Sequence, residues 1–228
     1  MMNSNFYNHG FYYPYGLQNF SRVESLPKIK TYIRILHASP DAPAVDIYAN
    51  GTAIARNLSY KNFTPYISVP SGSYEIKIYP AGSMDKAVFT EKIELNPNSI
   101  YTIAAVNTLD SFQILPILEP ATTSKPNFSM LRFSNLSPNA PTLDLTYRDN
   151  TKLFKNVEFQ ETTSYIPVVP KDHWLEIRDS LTDKILLTIP SVKLLPNKFY
   201  TIYTVGLLNS SPPLQILVPL DGASYLRI

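Results

Sequence analysis

The stretch HASPDAPAVDIY, His37 to Tyr48, gathers an imidazole, a hydroxyl and two carboxylates into twelve residues. Three uses compete for them. A hydrolase would set Ser39 as nucleophile against His37 as base, with a third group orienting the imidazole. A metal site would take nitrogen from His37 and oxygens from Asp41 and Asp46, donor types that suit zinc or calcium. A scaffold would spend the same side chains on backbone amides in a turn.

A second copy of the phrase decides among them. NLSPNAPTLDLTY, Asn135 to Tyr147, follows about 99 residues later, the mark of an internal repeat. It puts Asn135 in place of His37 and Asn139 in place of Asp41, so the hydrolase has no base there. In the first copy Pro40 turns the chain away from Ser39 and no Gly-rich oxyanion turn follows. His37, Asp41 and Asp46 remain weak metal candidates, at a spacing that fits no known loop pattern. What both copies keep is Ser-Pro-x-Ala-Pro and one Asp, Asp46 or Asp144. Each proline fixes φ and pushes its predecessor to extended geometry, which gives a stiff crossing between strands. The retained Asp lies between inward Val45 and Ile47, or Leu143 and Leu145. Alternation therefore turns it away from that core face, to cap a nearby loop's amides or to pair with Arg34 or Arg132. The phrase reads as scaffold, with no catalytic residue and no cofactor.

The repeat extends through the elements that hold the phrase. Tyr32-Ile33-Arg34-Ile35 answers Met130-Leu131-Arg132-Phe133, Tyr66-Ile67 answers Tyr165-Ile166, and Gln113-Ile114-Leu115 answers Gln215-Ile216-Leu217. Ile33/Ile35 and Val45/Ile47 alternate with polar residues as half-buried strands do. Asn50-Gly51 signals a type I′ hairpin, a place taken by Asp149-Asn150 in the second copy. Seven or eight short strands per copy, with no helix of ten residues, predict an all-β chain of two tandem β-sandwiches. Tyr101 and Tyr200 follow Pro-Asn turns at the start of a late strand, where a tyrosine corner returns its hydroxyl to the preceding turn. The expected divisions are an aromatic arm at 1–28, sandwiches at 29–120 and 129–228, and a Pro/Thr-rich linker at 121–128.

On His37–Tyr48, Asn50-Gly51 and the later Pro-x-x-x-Tyr-Thr, both copies resemble the bacterial domain-of-unknown-function family 4397, over about residues 31–120 and 129–221. The resemblance implies an immunoglobulin-like sandwich, often in tandem, in proteins of bacterial surfaces or the extracellular space. It implies no established reaction and supplies no catalytic residue.

Composition narrows the partners. With 20 basic and 18 acidic residues the net charge is +2, and no basic run points to nucleic acid or an anionic membrane. There is no cysteine, so neither disulfides nor thiolate chemistry arise. No apolar run is long enough to span a bilayer, and the N-terminal residues lack the basic and apolar regions of an export signal. Those first residues are instead aromatic and uncharged. Phe11, Tyr12, Tyr13 and Tyr15, interleaved with Asn, Ser and Gly, suit an extended arm that adds to an open sheet edge of a neighbouring copy or protein partner. Trp174, the single Trp, is expected at a loop-strand junction beside His173, able to stack on a glycan. The sequence thus predicts a structural or interaction protein of a bacterial cell or spore surface, with a glycan- or ligand-binding module as the alternative.

Overall fold

The computed structural model describes residues 30–120 and 123–226. The first sandwich consists of β1 (Thr31–His37), β2 (Val45–Ala49), β3 (Thr52–Leu58), β4 (Ile67–Val69), β5 (Gly72–Pro80), β6 (Phe89–Leu95), β7 (Ile100–Val106) and β8 (Gln113–Glu119). The second repeats it with β9 (Ser129–Asn135), β10 (Leu143–Tyr147), β11 (Lys152–Val157), β12 (Ile166–Val168), β13 (Asp172–Asp179), β14 (Ile185–Lys193), β15 (Phe199–Val205) and β16 (Gln215–Leu217). In each, one sheet runs β4-β1-β7-β8 or β12-β9-β15-β16, and the other β3-β2-β5-β6 or β11-β10-β13-β14. β1 lies parallel to β7, and β9 to β15, while the remaining pairs are antiparallel. Among the described residues the helical segments are two single 3-10 turns, Leu109–Ser111 and Gly222–Ser224, and no helix is long and apolar enough to cross a membrane.

Each sandwich closes on its own core. Ile33, Ile35, Val45, Ile47, Ile76 and Ile78 meet in the first, and Leu131, Phe133, Leu143, Leu145, Leu175 and Ile177 meet in the second. The alternation read from β1, β2 and their repeats points these side chains inward. The tyrosine corners form as well, the hydroxyls of Tyr101 and Tyr200 accepting from the backbone N–H of Asn96 at 3.3 Å and Leu195 at 3.2 Å. Asn50 and Gly51 both take positive φ, the hairpin geometry their pairing predicts. Its counterpart differs: of Asp149 and Asn150 only Asn150 has positive φ, so the second hairpin turns another way.

Half-burial, however, fails for the inner strands. β7, β9 and β15 are buried along their whole length, and β1 at every residue except the half-buried Tyr32. The reason is a third core. Leu36, Ala38, Ala104, Val106 and Ile117 of the first sandwich pack against Leu136, Tyr203 and Val205 of the second. The two sheets carrying β1 and β9 therefore face each other, and the chain stacks four sheets. A strand buried on both faces reads as a nearly continuous apolar run, as Ile100–Val106 does.

Candidate functional site

The signature stretch divides its side chains among separate backbone partners. His37 is fully buried, with Nε2 3.0 Å from the Pro43 carbonyl oxygen and its ring edge-on to Tyr60. Burial holds its pKa below the usual imidazole value. Asp41 Oδ1 accepts the Leu109 N–H at 2.9 Å, across the sandwich end and 68 residues away. Asn139 does the same in the second copy, accepting the Leu208 N–H at 2.7 Å. These turn residues thus bond distant loop amides, not the local ones expected of them. Ser137 Oγ likewise donates to Gly206 O at 2.7 Å. Gly206 needs to be glycine: its φ is +91, and a Cβ would lie 2.2 Å from Pro213 O.

Asp46 and Asp144 share a structural task. Asp46 Oδ1 accepts the Asn57 N–H at 2.7 Å, and Asp144 Oδ1 the Asn156 N–H at 2.8 Å. Both Asn residues have positive φ and sit where pairing with β2 or β10 shifts register. The carboxylate therefore satisfies an amide that the shift removes from the ladder. Asp46 also accepts from Gly82 N, and these two amides hold its pKa below the usual range. At Asp144 burial opposes ionisation, but Lys152 at 2.6 Å, Ser180 and the Asn156 amide together keep the pKa low. Amide capping is thus the role of both residues. The alternative partners, Arg34 and Arg132, lie elsewhere. His37, Asp41 and Asp46 are not brought to one point, and no trio of His, Asp or Glu among the described residues converges as a metal site would.

Trp174 is the third residue of β13, inside a strand rather than at the junction its loop suggested. Trp174 is 37% exposed while the neighbouring Leu175 is buried, so Leu175 faces the core and Trp174 the outside. The Arg148 guanidinium lies 4.6 Å from the Trp174 ring centre. Beside it Tyr147 stacks on the buried His173, whose Nε2 is 2.8 Å from Val169 O. Together these residues line an open hollow of about 400 Å³. Phe11, Tyr12, Tyr13 and Tyr15 lie outside the described residues.

The densest polar chemistry sits between the sandwiches. Arg34 and Arg132 project from equivalent positions of β1 and β9 into the shared face, 3% and 2% exposed. Arg34 Nε donates to Thr102 Oγ1 at 2.8 Å, and Arg132 Nε to Thr201 Oγ1 at 2.7 Å. Each guanidinium then crosses to the other sandwich. Arg34 Nη1 reaches Leu220 O at 2.8 Å, and Arg132 Nη1 reaches Leu118 O at 2.7 Å. Tyr66 and Tyr165 lie under the two guanidiniums at 4.8 and 4.7 Å, and Asp221 and Glu119 carry the compensating charge. At the opposite end of the shared face Lys61 meets Gln215 and Gln160 meets Gln113, equivalent pairs again. The arrangement has the self-complementarity of a two-fold dimer within one chain. Reading the strands one by one misses it. The available signal is a pair of Arg residues at matching places in apolar strands, each matched further on by a Tyr.

Comparison with known proteins adds a family and two distant structures. The family described as Domain of unknown function (DUF4397) matches residues 31–146, just over half of the chain. No curated protein matches. Among solved structures, the C-terminal domain of AlgF from P. aeruginosa is 22% identical, with 42% of this chain and 99% of that domain covered at a TM-score of 0.33. The family CBM26 module CBMbc of Eubacterium rectale Amy13K, solved with maltoheptaose, is 10% identical and covers 85% of this chain and 99% of its own at 0.28.

Proposed function

The chain belongs to the DUF4397 family, and from that premise we propose that it is a non-catalytic structural or interaction protein of a bacterial surface layer or coat, on a cell or a spore. It self-assembles or is anchored through its N-terminal arm. One observation carries this reading. The inner sheets are buried against each other and joined by crossing guanidiniums, so that two sandwiches act as one stiff block. A building unit needs that stiffness, whereas domains that close on a substrate need the opposite. The signature residues support it too, since Asp46, Asp144, Asn139 and Ser137 are spent on backbone groups. Each sandwich is read as immunoglobulin-like on its tyrosine corner.

Sheet edges are unequal as acceptors for an arm. Pro116 interrupts edge strand β8 and Pro190 interrupts β14, while Glu91, Lys92 and Glu94 charge the edge strand β6. Such residues discourage strand addition, as does Pro167 in β12, which leaves β3, β4, β11 and β16 as the acceptors. Deleting residues 1–25 tests the assignment by light scattering and electron microscopy of the purified protein. Assemblies in the full chain that vanish on deletion are expected; assemblies of unchanged size would remove the arm from the account.

A second reading, a glycan-binding module, is favoured by the hollow beside Trp174. Trp174 and Tyr147 offer aromatic surface, and Arg148 and Asp172 offer polar contacts. Glycan-array hits lost in Trp174→Ala would support it.

A further inference from the structure

The two-fold clamp is broken at one atom. Arg34 uses all three guanidinium nitrogens: Nε to Thr102, Nη1 to Leu220 O, and Nη2 to Asp221 Oδ1 at 2.8 Å. Arg132 repeats the first two bonds, but its Nη2 is buried and has no hydrogen-bond partner among the described residues. Glu119, the last residue of edge strand β8, stands where Asp221 does just beyond β16. Asp221 bonds Thr201 and Tyr165 of its own sandwich through Oδ2, and spans to Arg34 through Oδ1. Glu119 likewise takes Tyr66 and Thr102 on Oε1, but its other oxygen accepts the Ala223 N–H at 3.3 Å. The carboxylate that would complete Arg132 is thus turned away.

What adjoins Arg132 instead is a hollow of about 330 Å³. Leu115, Leu118 and Pro120 line one side of it and Thr162 and Ser164 another, with Arg132 the one charged residue among the described residues that line it. Charge points the same way as geometry. Burial, reinforced by nearby Asp221, raises the pKa of Glu119 and so works against its ionised form. A buried donor of this kind is costly unless a partner of opposite charge meets it.

We infer that the hollow at Arg132 binds a carboxylate, carried by a small organic acid or by an acidic side chain of a partner protein, whose oxygen takes at Arg132 Nη2 the place that Asp221 takes at Arg34. A monovalent carboxylate suits the site better than phosphate. One guanidinium offers one charge, and the apolar wall gives a doubly charged ion nothing further to pair with. The inference goes beyond the assembly role and does not depend on it.

The test titrates the full chain with sodium acetate at constant ionic strength, following the Arg132 Nε–Hε nuclear magnetic resonance signal. A blocked peptide with a single Glu and inorganic phosphate serve as parallel probes. A saturable acetate shift is expected, with phosphate weaker. A matching response to the peptide would assign the site to a partner side chain, and a response to acetate alone to a free acid. Ser164 is exposed at the rim, so Ser164→Glu can fill the hollow without disturbing the buried clamp. That variant should lose the acetate response and melt higher than wild type in acetate-free buffer. No saturable shift in the wild type would overturn the inference. So would an undiminished response in Ser164→Glu, or phosphate binding as tightly as acetate.

Discussion

Arg34 and Arg132 stand at the same place in two copies of one fold, yet only Arg34 holds a carboxylate on Nη2. Duplication preserved the elements that fold each sandwich and the pair of guanidiniums that joins them. It did not preserve the symmetry of the charges between them. A short acidic side chain, Asp221, reaches across the interface. A longer one, Glu119, bends toward the 3-10 turn that follows Asp221 and accepts Ala223 N–H. The difference lies in how each carboxylate is held, and mutations can measure it.

The largest effect is expected from Arg34→Ala, which leaves Asp221 buried without its cross-sandwich cation. Breaking such a pair costs about 3–5 kcal/mol, to be read by urea denaturation. Arg132→Ala removes two hydrogen bonds and a longer ion pair, 4.0 Å from Nε to Asp221 Oδ2, but no hydrogen-bonded carboxylate. Its cost should be visibly smaller. Equal costs would mean that the asymmetry is energetically empty.

Next come the capping aspartates. Asp46→Ala and Asp144→Ala each take a charged acceptor away from an Asn backbone N–H, and each should lose about 1–3 kcal/mol. Asp144→Ala should be the worse of the two, because Lys152 and Ser180 also lose their partner. Smaller again is the exchange of His37 for the residue its repeat carries. The His37 pKa is depressed in the fold, so the unfolded chain binds the proton first as pH falls. Stability from neutral His37 is complete above about pH 6.5, the unperturbed value, and declines below it. His37→Asn should flatten the pH dependence of the melting midpoint over that range. A midpoint that falls with acid equally in both proteins would assign the effect elsewhere. Trp174→Ala, at an exposed position, should shift stability by less than about 0.5 kcal/mol.

The comparison also explains what could be read from the sequence. Local rules reached the strands, because Ile33, Ile35, Val45 and Ile47 face one core and alternate with a period of two. They reached the caps, because an Asp kept in both copies between inward residues has few other tasks. They did not reach the partners of Asp41 and Asn139, which lie 68 and 69 residues away and depend on how the sandwich ends close. The four-sheet stack was equally hidden. Arg34 in an apolar strand reads as the outward residue of a half-buried sheet until a second sandwich covers it. Alternation assigns a residue to a face but does not say whether that face meets water. Two clues held that information: the nearly continuous apolar run of Ile100–Val106, and the pairing of Arg34 with Arg132 and Tyr66 with Tyr165 across the repeat.

Whether the two sandwiches form one block is tested most directly by scanning calorimetry of the full chain. If the shared core and crossing guanidiniums unite them, the protein unfolds in a single transition whose calorimetric and van't Hoff enthalpies agree. Two resolved transitions, or a calorimetric enthalpy about twice the van't Hoff value, would show sandwiches that melt independently and would contradict the account.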